Sequence, residues 1–400
     1  MTPASLPSHA AHPDHGPQAW SAVGAMTLCV AMLIASEFMP VSLLTPIARD
    51  LHASEGMAGQ AIAISGLFAL VTSLLIPTLA SRFDRRQVLV ALTAVMVASL
   101  VLIAQASSFG LLMMARALLG VTIGGFWSLS TATVMQLVSP PHHARALGLM
   151  YMGNAAATAL AAPVGSALGG VLGWRGVFWL LVPVGLVTLL WQALALPRMP
   201  PARAIPPGRV LGLLRRPQVR RAVIATMLTF AGAFATFTYL RPFLETRAQA
   251  TLAQLSLLLL SLGAAGFAGT TLATLWVGRR LYTLLWAVPL LLAAVTLALL
   301  PAAPLLWLTA LALAAWGALN AAAPVAWFNW LAQEVSDEPE AAGGLMVAAI
   351  QLAIMAGAAF GGLLLDQLSI DATFVGGAVL LVAAAGVAAG VGAHRPQPQR

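Results

Sequence analysis

Apolar runs of about twenty residues recur along the chain, separated by short turns rich in Arg, Pro and Gly. Twelve can be counted, at 21–48, 58–80, 87–106, 108–138, 146–172, 176–196, 221–244, 254–277, 282–300, 304–331, 342–365 and 371–393. Each is close to the ~20 residues that carry a helix across a bilayer core. A spanning segment must satisfy its own backbone in lipid, so it is a helix or part of a closed barrel. Barrel strands alternate apolar and polar positions, and these runs do not. The pattern therefore predicts an all-α integral membrane protein with twelve transmembrane helices.

One long polar break interrupts the series. The stretch "PRMPPARAIPPGRVLGLLRRPQVR" (197–220) has too many prolines and arginines to span, and it reads as a linker. It divides the chain into six-helix bundles at 20–196 and 221–393. Residues 1–19, polar and Pro/His-rich, read as a disordered tail, and 394–400 as a second short tail. An internal echo supports two related halves: "LGLM" (147–150) then "GSALGG" (165–170), against "GGLM" (343–346) then "GAAFGG" (357–362). The offsets are 196 and 192 residues. Two six-helix repeats of parallel topology are a known transporter architecture.

Composition agrees: 60% of residues are hydrophobic and only 8% charged, against roughly 25% in soluble domains. The net charge of +8 comes from 20 Arg and no Lys. Those Arg are spread through short turns and form no single basic face, which argues against nucleic acid. With the N-terminus inside, fifteen fall in inner segments and only Arg49, Arg175, Arg241 and Arg247 in outer turns. The positive-inside rule then puts both termini in the cytoplasm. Arg241, with Trp20 and Trp307, reads as a membrane-interface anchor. The single cysteine, Cys29, permits no intrachain disulfide.

No enzyme constellation is found. His142 and His143 are adjacent in a turn, and adjacent residues do not share a helix face. There is no Walker A loop, so ATP is not the expected energy source. No metal or other cofactor is expected, although His9, His12 and His15 in the tail could bind one. The acidic run "QEVSDEPE" (333–340) reads as a solvated inner turn.

Several motifs are more specific. The turn "SRFDRRQVL" (81–89), with Arg85 and Arg86, resembles the basic gating loop of the major facilitator superfamily, with Ser81 and Asp84 as departures from its usual pattern. Plain topology charge is the alternative reading. "RALLG" (116–120) resembles that superfamily's buried-arginine motif, Arg116 with Gly120 four residues on. "NAAATALAAPVGSALGG" (154–170), with Pro163 and Gly165, resembles the segment of its antiporter members, although Ala162 stands where a Gly is usual. Its small residues suit close packing of the fifth and eighth spans, and its proline a bend. "LGWRGVF" (172–178) extends the likeness, which covers residues 20–393.

Charge inside a span costs several kcal/mol and marks a pathway or a partner. Glu37 and Arg116 are two such charges. At ~1.5 Å per residue, Glu37 lies about 16 Å inside the outer end of the first span, and Arg116 at a similar depth in the fourth. An acid and a base at one level can pair as a static strut, or the acid can carry a proton. Pro40, three residues after Glu37, would let the helix bend. The resemblance further implies that Phe126, Trp127, Asn154, Phe237, Thr238, Tyr239, Asn320, Trp327, Asn329 and Gln351 lie on cavity-facing spans. Flat rings with amides suit a planar, uncharged ligand. Interhelical hydrogen bonding is the alternative for each.

"SEFMPVSLLTPIARDL" (36–51), "IGGFWSLS" (123–130), "FAGAFATFTYLRP" (230–242), "APVAWFNW" (323–330) and "IQLAIMAGAAFGGLLLD" (350–366) look like the bacterial purine ribonucleoside exporters. That likeness implies a monomeric inner-membrane antiporter driven by the proton gradient, with inosine and guanosine as cargo. Drug, chloramphenicol-like or sugar efflux stands as one alternative, and a non-transporting sensor or scaffold as another.

Overall fold

A computed structural model describes residues 17–80, 82–200, 207–335 and 337–392. The three tail histidines, Ser81, most of the N-terminal tail and the C-terminal tail lie outside the described residues. Helices α1 (Pro17–Ser42) and α2 (Leu44–Asp50) form the first span, broken at Leu43. There follow α3 (Glu55–Ala80), α4 (Arg85–Ala104), α5 (Phe109–Leu137) and α6 (His143–Ala195). A short α7 (Pro207–Gly212) and a 3₁₀ turn, Leu213–Arg215, occupy the linker. The second half holds α8 (Pro217–Thr238), α9 (Leu240–Thr246), α10 (Leu252–Ala302), α11 (Leu306–Glu334), α12 (Pro339–Gln367) and α13 (Ile370–Gly392). Helix α1 begins inside the segment read as tail, and α8 begins at Pro217, three residues before the expected end of the linker break.

Ten helices among the described residues are long and apolar enough to cross a membrane. Two of them, α6 with 53 residues and α10 with 51, are each two crossings. At ~1.5 Å per residue either would reach ~80 Å, far beyond a ~30 Å hydrocarbon core. Each folds back at one residue with non-helical dihedrals: Gly173 (φ 70°, ψ 165°) in α6 and Arg280 (φ −136°, ψ 32°) in α10. The positive φ at Gly173 is a region that a Cβ makes costly, which explains a glycine between Leu172 and Trp174. Twelve crossings result, and an even number puts both chain ends on one face, here called the terminal face; the opposite one is the far face.

In the first half α1 packs on α6, α3 on α5, and α4 on α5 and α6; in the second, α10 packs on α11 and α13, and α8 on α12 and α13. The halves meet where α3 lies against α12 and α6 against α10. The second contact is close because Gly263 of α10 has no side chain; a Cβ there would sit 2.2 Å from the Ala159 carbonyl oxygen. That is the fifth-to-eighth packing expected from the small residues of 154–170. Buried clusters spanning both halves involve Val41, Leu44, Ala48, Ala58 and Ile62 with Phe234, Phe237 and Tyr239. The hydrogen bonds joining the halves gather toward the far face. Ser54 Oγ and the Gly56 N–H donate to Asp366 (2.5 and 3.1 Å), Gln60 to the Ala359 carbonyl (3.5 Å), and Ser256 to Ser166 (3.0 Å). Tyr239 Oη donates to the Ala358 carbonyl (2.7 Å) and reaches that of Gly56 (3.5 Å). The far face is shut.

On the terminal face the acidic turn does more than hold water. Arg216 grips Asp337 with two bonds, 3.0 and 2.6 Å, and Glu338 with a third at 3.3 Å, clasping the linker to the α11–α12 turn. These hydrogen bonds hold the Asp337 carboxyl below the usual carboxylate range. A depressed acid contributes stability above its unfolded pKa, about 4, and loses it as pH falls through the lower folded value. The clasp is exposed, so its effect is small and salt-sensitive. Asp337→Asn should therefore melt slightly below wild type at pH 7 in low salt. The gap in melting temperature should close in 1 M salt, or when the pH is taken well below 4.

Candidate functional site

Helix α5 carries Arg116, and glycines set its distance from α3. A Cβ on Gly120 would lie 2.2 Å from the Ser65 carbonyl oxygen, and one on Gly124 2.1 Å from that of Ala69. The two backbones therefore nearly touch, and Ser65 Oγ donates to the Arg116 carbonyl (2.9 Å). So held, Arg116 is fully buried and turns toward the first span. Its Nε donates to the Ala61 carbonyl and its Nη1 to the Ser36 carbonyl, both at 2.9 Å. Nη2 has no hydrogen-bond partner among the described residues. The Arg–x–x–x–Gly pattern thus has a physical meaning: the glycine brings the helices together, and the arginine spends its donors on the carbonyls it then reaches.

Glu37 follows Ser36 directly, so acid and base do lie at one level. Glu37 is 4% exposed. Arg116 is the charge that acts on it electrostatically, yet no salt bridge within 4.0 Å joins them. No hydrogen bond to the Glu37 carboxyl is found among the described residues. The cation is anchored by peptide carbonyls, and the carboxyl beside it is left without a fixed partner.

The next residue, Phe38, crosses to the second half. Its ring lies 5.6 Å from Phe237 and 5.9 Å from Phe234, which are 5.8 Å from each other. Phe237 stacks on Trp316 at 6.0 Å with 8° between planes. Asn320, half-buried, is one turn along α11 from Trp316 and on the same face. Gln351 is buried and its Nε2 has no partner among the described residues. Its α12 neighbours Ile350 and Ile354 pack in the cluster that holds Phe234, Phe237 and Trp316. Phe38, next to Glu37 in sequence, thus meets Phe237 and, through it, Trp316 of α11, and the α12 residues flanking Gln351 pack in the same cluster.

The other expected residues are placed elsewhere. Phe126 is wholly buried in the core of the first half, and Trp127 stacks on Tyr151 at 6.2 Å. Asn154 is half-buried on α6, its carbonyl accepting from Thr158. Trp327 packs edge-on to Trp330, and the Asn329 amide donates to Val325, one turn back. Thr238 is buried, its hydroxyl without a partner among the described residues, and Tyr239 belongs to the far-face seal. In the turn before α4, Asp84 caps the helix through the Arg86 N–H (2.8 Å) and also accepts from the Met199 N–H (3.2 Å). Arg85 donates to Gln136 (3.2 Å), and Arg86 to the Ala193 carbonyl (2.5 Å). These bonds fasten the loop to its own half and to the start of the linker. Pro163 is buried in α6, and Gly165 lets α6 close on Ser42 of α1, where a Cβ would meet Ser42 Oγ at 2.6 Å. Pro40 precedes the break at Leu43 by three residues.

Arg241 corrects an expectation. It is no interface anchor: it is 8% exposed, its Nε donates to Glu245 (2.8 Å), and its Nη1 donates to the Ser42 carbonyl in the other half. A single sequence does not separate such an arginine from one at a lipid interface. Phe38, Phe234 and Trp316 also escaped the sequence reading, although "FAGAFATF" (230–237) spaces its rings at helical intervals.

This architecture matches known proteins. The family model described as Major Facilitator Superfamily matches residues 26–342. The chain belongs to that superfamily. It is 46% identical over 389 residues, 96% of each chain, to "Transcription regulatory protein OpdE" of Pseudomonas aeruginosa. It is 39% identical over 366 residues to "Purine ribonucleoside efflux pump NepI" of Salmonella typhimurium, covering 91% of this chain and 92% of that one. Among solved structures, a bacterial homologue of the human lysosomal transporter Spinster, inward-facing and unoccupied, superposes with a TM-score of 0.67. That match covers 94% of this chain and 97% of the other at 17% identity, and it shows the fold. The protein is a multi-pass membrane transporter of the superfamily.

The Gly120 contact yields a direct test. Gly120→Ala should push α5 off α3, break the Arg116–Ala61 bond and destabilise the protein by about 1–3 kcal/mol. Gly110→Ala on the same helix meets nothing within 4 Å and should leave the melting curve unchanged. Equal melting temperatures for the two variants would contradict the packing account.

Proposed function

We propose that this protein exports purine ribonucleosides such as inosine and guanosine across the bacterial inner membrane in exchange for protons. The observation that carries the mechanism is Glu37: a buried carboxyl, in the field of Arg116, with no salt bridge and no hydrogen bond among the described residues. A static strut would show a bonded pair. A group that must gain and lose a proton needs a site where neither form is locked, and Arg116, held by peptide carbonyls, supplies a constant field whichever form is present.

Cargo rests on likeness to the efflux pump and on the chemistry of the site. A purine is flat, uncharged and rich in donors and acceptors. Phe38 and Phe237 offer faces for stacking, and Asn320 and Gln351 offer amides for the ring edge. In the proposed cycle Glu37, exposed from outside, takes a proton and the nucleoside leaves. The halves then rock, the proton departs to the cytoplasm, and nucleoside binds again. In the carboxylate form, Glu37 has the unpartnered Nη2 of Arg116 within its field as a seat. The terminal face, which gathers most of the arginines, is the cytoplasmic one by the positive-inside rule. The protein acts as a monomer and needs no cofactor beyond the proton gradient.

One observation favours a second reading. The relative at 46% identity is named a transcription regulatory protein. A membrane sensor that moves nothing would fit that name. An exporter that drains an inducer from the cell would also alter transcription without touching DNA.

Radiolabelled inosine flux into proteoliposomes under an imposed pH gradient separates these. Wild type should accumulate inosine only with the gradient, and Glu37→Gln, fixed in the uncharged form, should lose gradient-driven flux at least tenfold and bind inosine more weakly. If wild type moves another ligand of a drug or sugar panel instead, the cargo is wrong and the mechanism stands. No flux with any ligand would favour the sensor.

A further inference from the structure

The first spans of the two halves break in the same way. "SLLTP" (42–46) and "TYLRP" (238–242) are 196 residues apart, the offset of the first element of the internal echo. Leu43 has φ −112° and ψ 9°, and Tyr239 φ −107° and ψ 20°. Each N–H reaches back only three residues, Leu43 to the Pro40 carbonyl (3.1 Å) and Tyr239 to that of Thr236 (3.2 Å), and these acceptors are again 196 residues apart. Three residues beyond each break stands a proline, Pro46 or Pro242. A proline has no N–H, so the carbonyl four residues before it loses its helical donor. In the first half that carbonyl is Ser42's.

The repeat is asymmetric at one place. Where the first half has Thr45, the second has Arg241. Arginines at both positions would set two like charges across the pseudo-symmetry axis, which costs free energy in a buried site. One arginine suffices. Arg241, almost fully buried and steadied by Glu245, donates to the Ser42 carbonyl that Pro46 leaves without a partner. This bond crosses between the halves five residues above Glu37. A donor to a peptide carbonyl that no helix can satisfy is a strong seat, and it exists only while the far faces touch.

We propose that Arg241 is the far-face gate residue, holding the exporter closed by occupying the Ser42 carbonyl that Pro46 leaves free. Opening the far face would pull Arg241 from this carbonyl, with Leu43 and Tyr239 as paired hinges. The inference rests on the alternating-access reading above, but its test needs neither cargo nor gradient. A negative result would leave the roles of Glu37 and of the nucleoside untouched.

The test measures distances between spin labels at Val171→Cys and Leu368→Cys, exposed residues near the far ends of the two halves, in the full chain with Cys29→Ala. Arg241→Ala should add a longer distance, with the open population rising roughly tenfold or more, as expected for losing one charge-assisted bond. Pro46→Ala restores an N–H that competes for the Ser42 carbonyl and should give the same shift. The double variant should shift no further than either single, because both remove one interaction. Should Arg241→Ala fail to fold, Pro46→Ala decides alone. Parent-like distances in a folded variant, or shifts that add, would overturn the proposal.

Discussion

A guanidinium cannot be left bare in the interior of a membrane protein, and the first half of this one is organised around meeting that demand. Arg116 is fully buried, and its donors must find acceptors on the helices around it. The acceptors are peptide carbonyls on α1 and α3, within reach because Gly120 and Gly124 let α5 lie almost against α3. Had a carboxylate supplied the hydrogen bonds, the pair would be a strut of fixed protonation. Because the backbone supplies them, the cation is immobilised and its field is left over for Glu37. Packing, electrostatics and proposed function therefore hang on the same two glycines.

The same device recurs at the far face with the roles changed. A proline unmakes one helical hydrogen bond, and an arginine from the other half takes the carbonyl so released. In both places an arginine is held by main-chain oxygen. At α5 the bonds tie helices within one half; at the far face one ties the halves together, beside Ser54, Gly56 and Asp366. In the proposed cycle, bonds of the second kind break and re-form.

Much of this was legible in the sequence, for identifiable reasons. Twelve crossings, the two halves, and the common level of Glu37 and Arg116 follow from hydropathy and helical rise, which act locally along the chain. The family resemblance singled out "RALLG" and "LGWRGVF"; in the structure the first holds the Gly120 approach and the second the positive φ of Gly173. What depended on which face of a helix meets which neighbour was not legible. Phe126 and Trp127 adjoin in sequence but point into different surroundings, one a sealed core and the other a stack with Tyr151. Arg241 read as an anchor because its sequence position is near a membrane end; its partner, the Ser42 carbonyl, is 199 residues away. Phe38 crosses between the halves, a contact that only their assembly defines.

The central claim is that binding cargo and holding a proton are alternatives at Glu37. Stopped-flow mixing of the purified protein with inosine, in weakly buffered solution with a pH indicator, reads it directly, while tryptophan fluorescence near Trp316 reports binding. The account predicts proton release from wild type on binding, and from Glu37→Gln, fixed in the uncharged form, weaker binding with no release. Release of the same size from both, or binding by wild type with no release at any pH between 6 and 8, would contradict it.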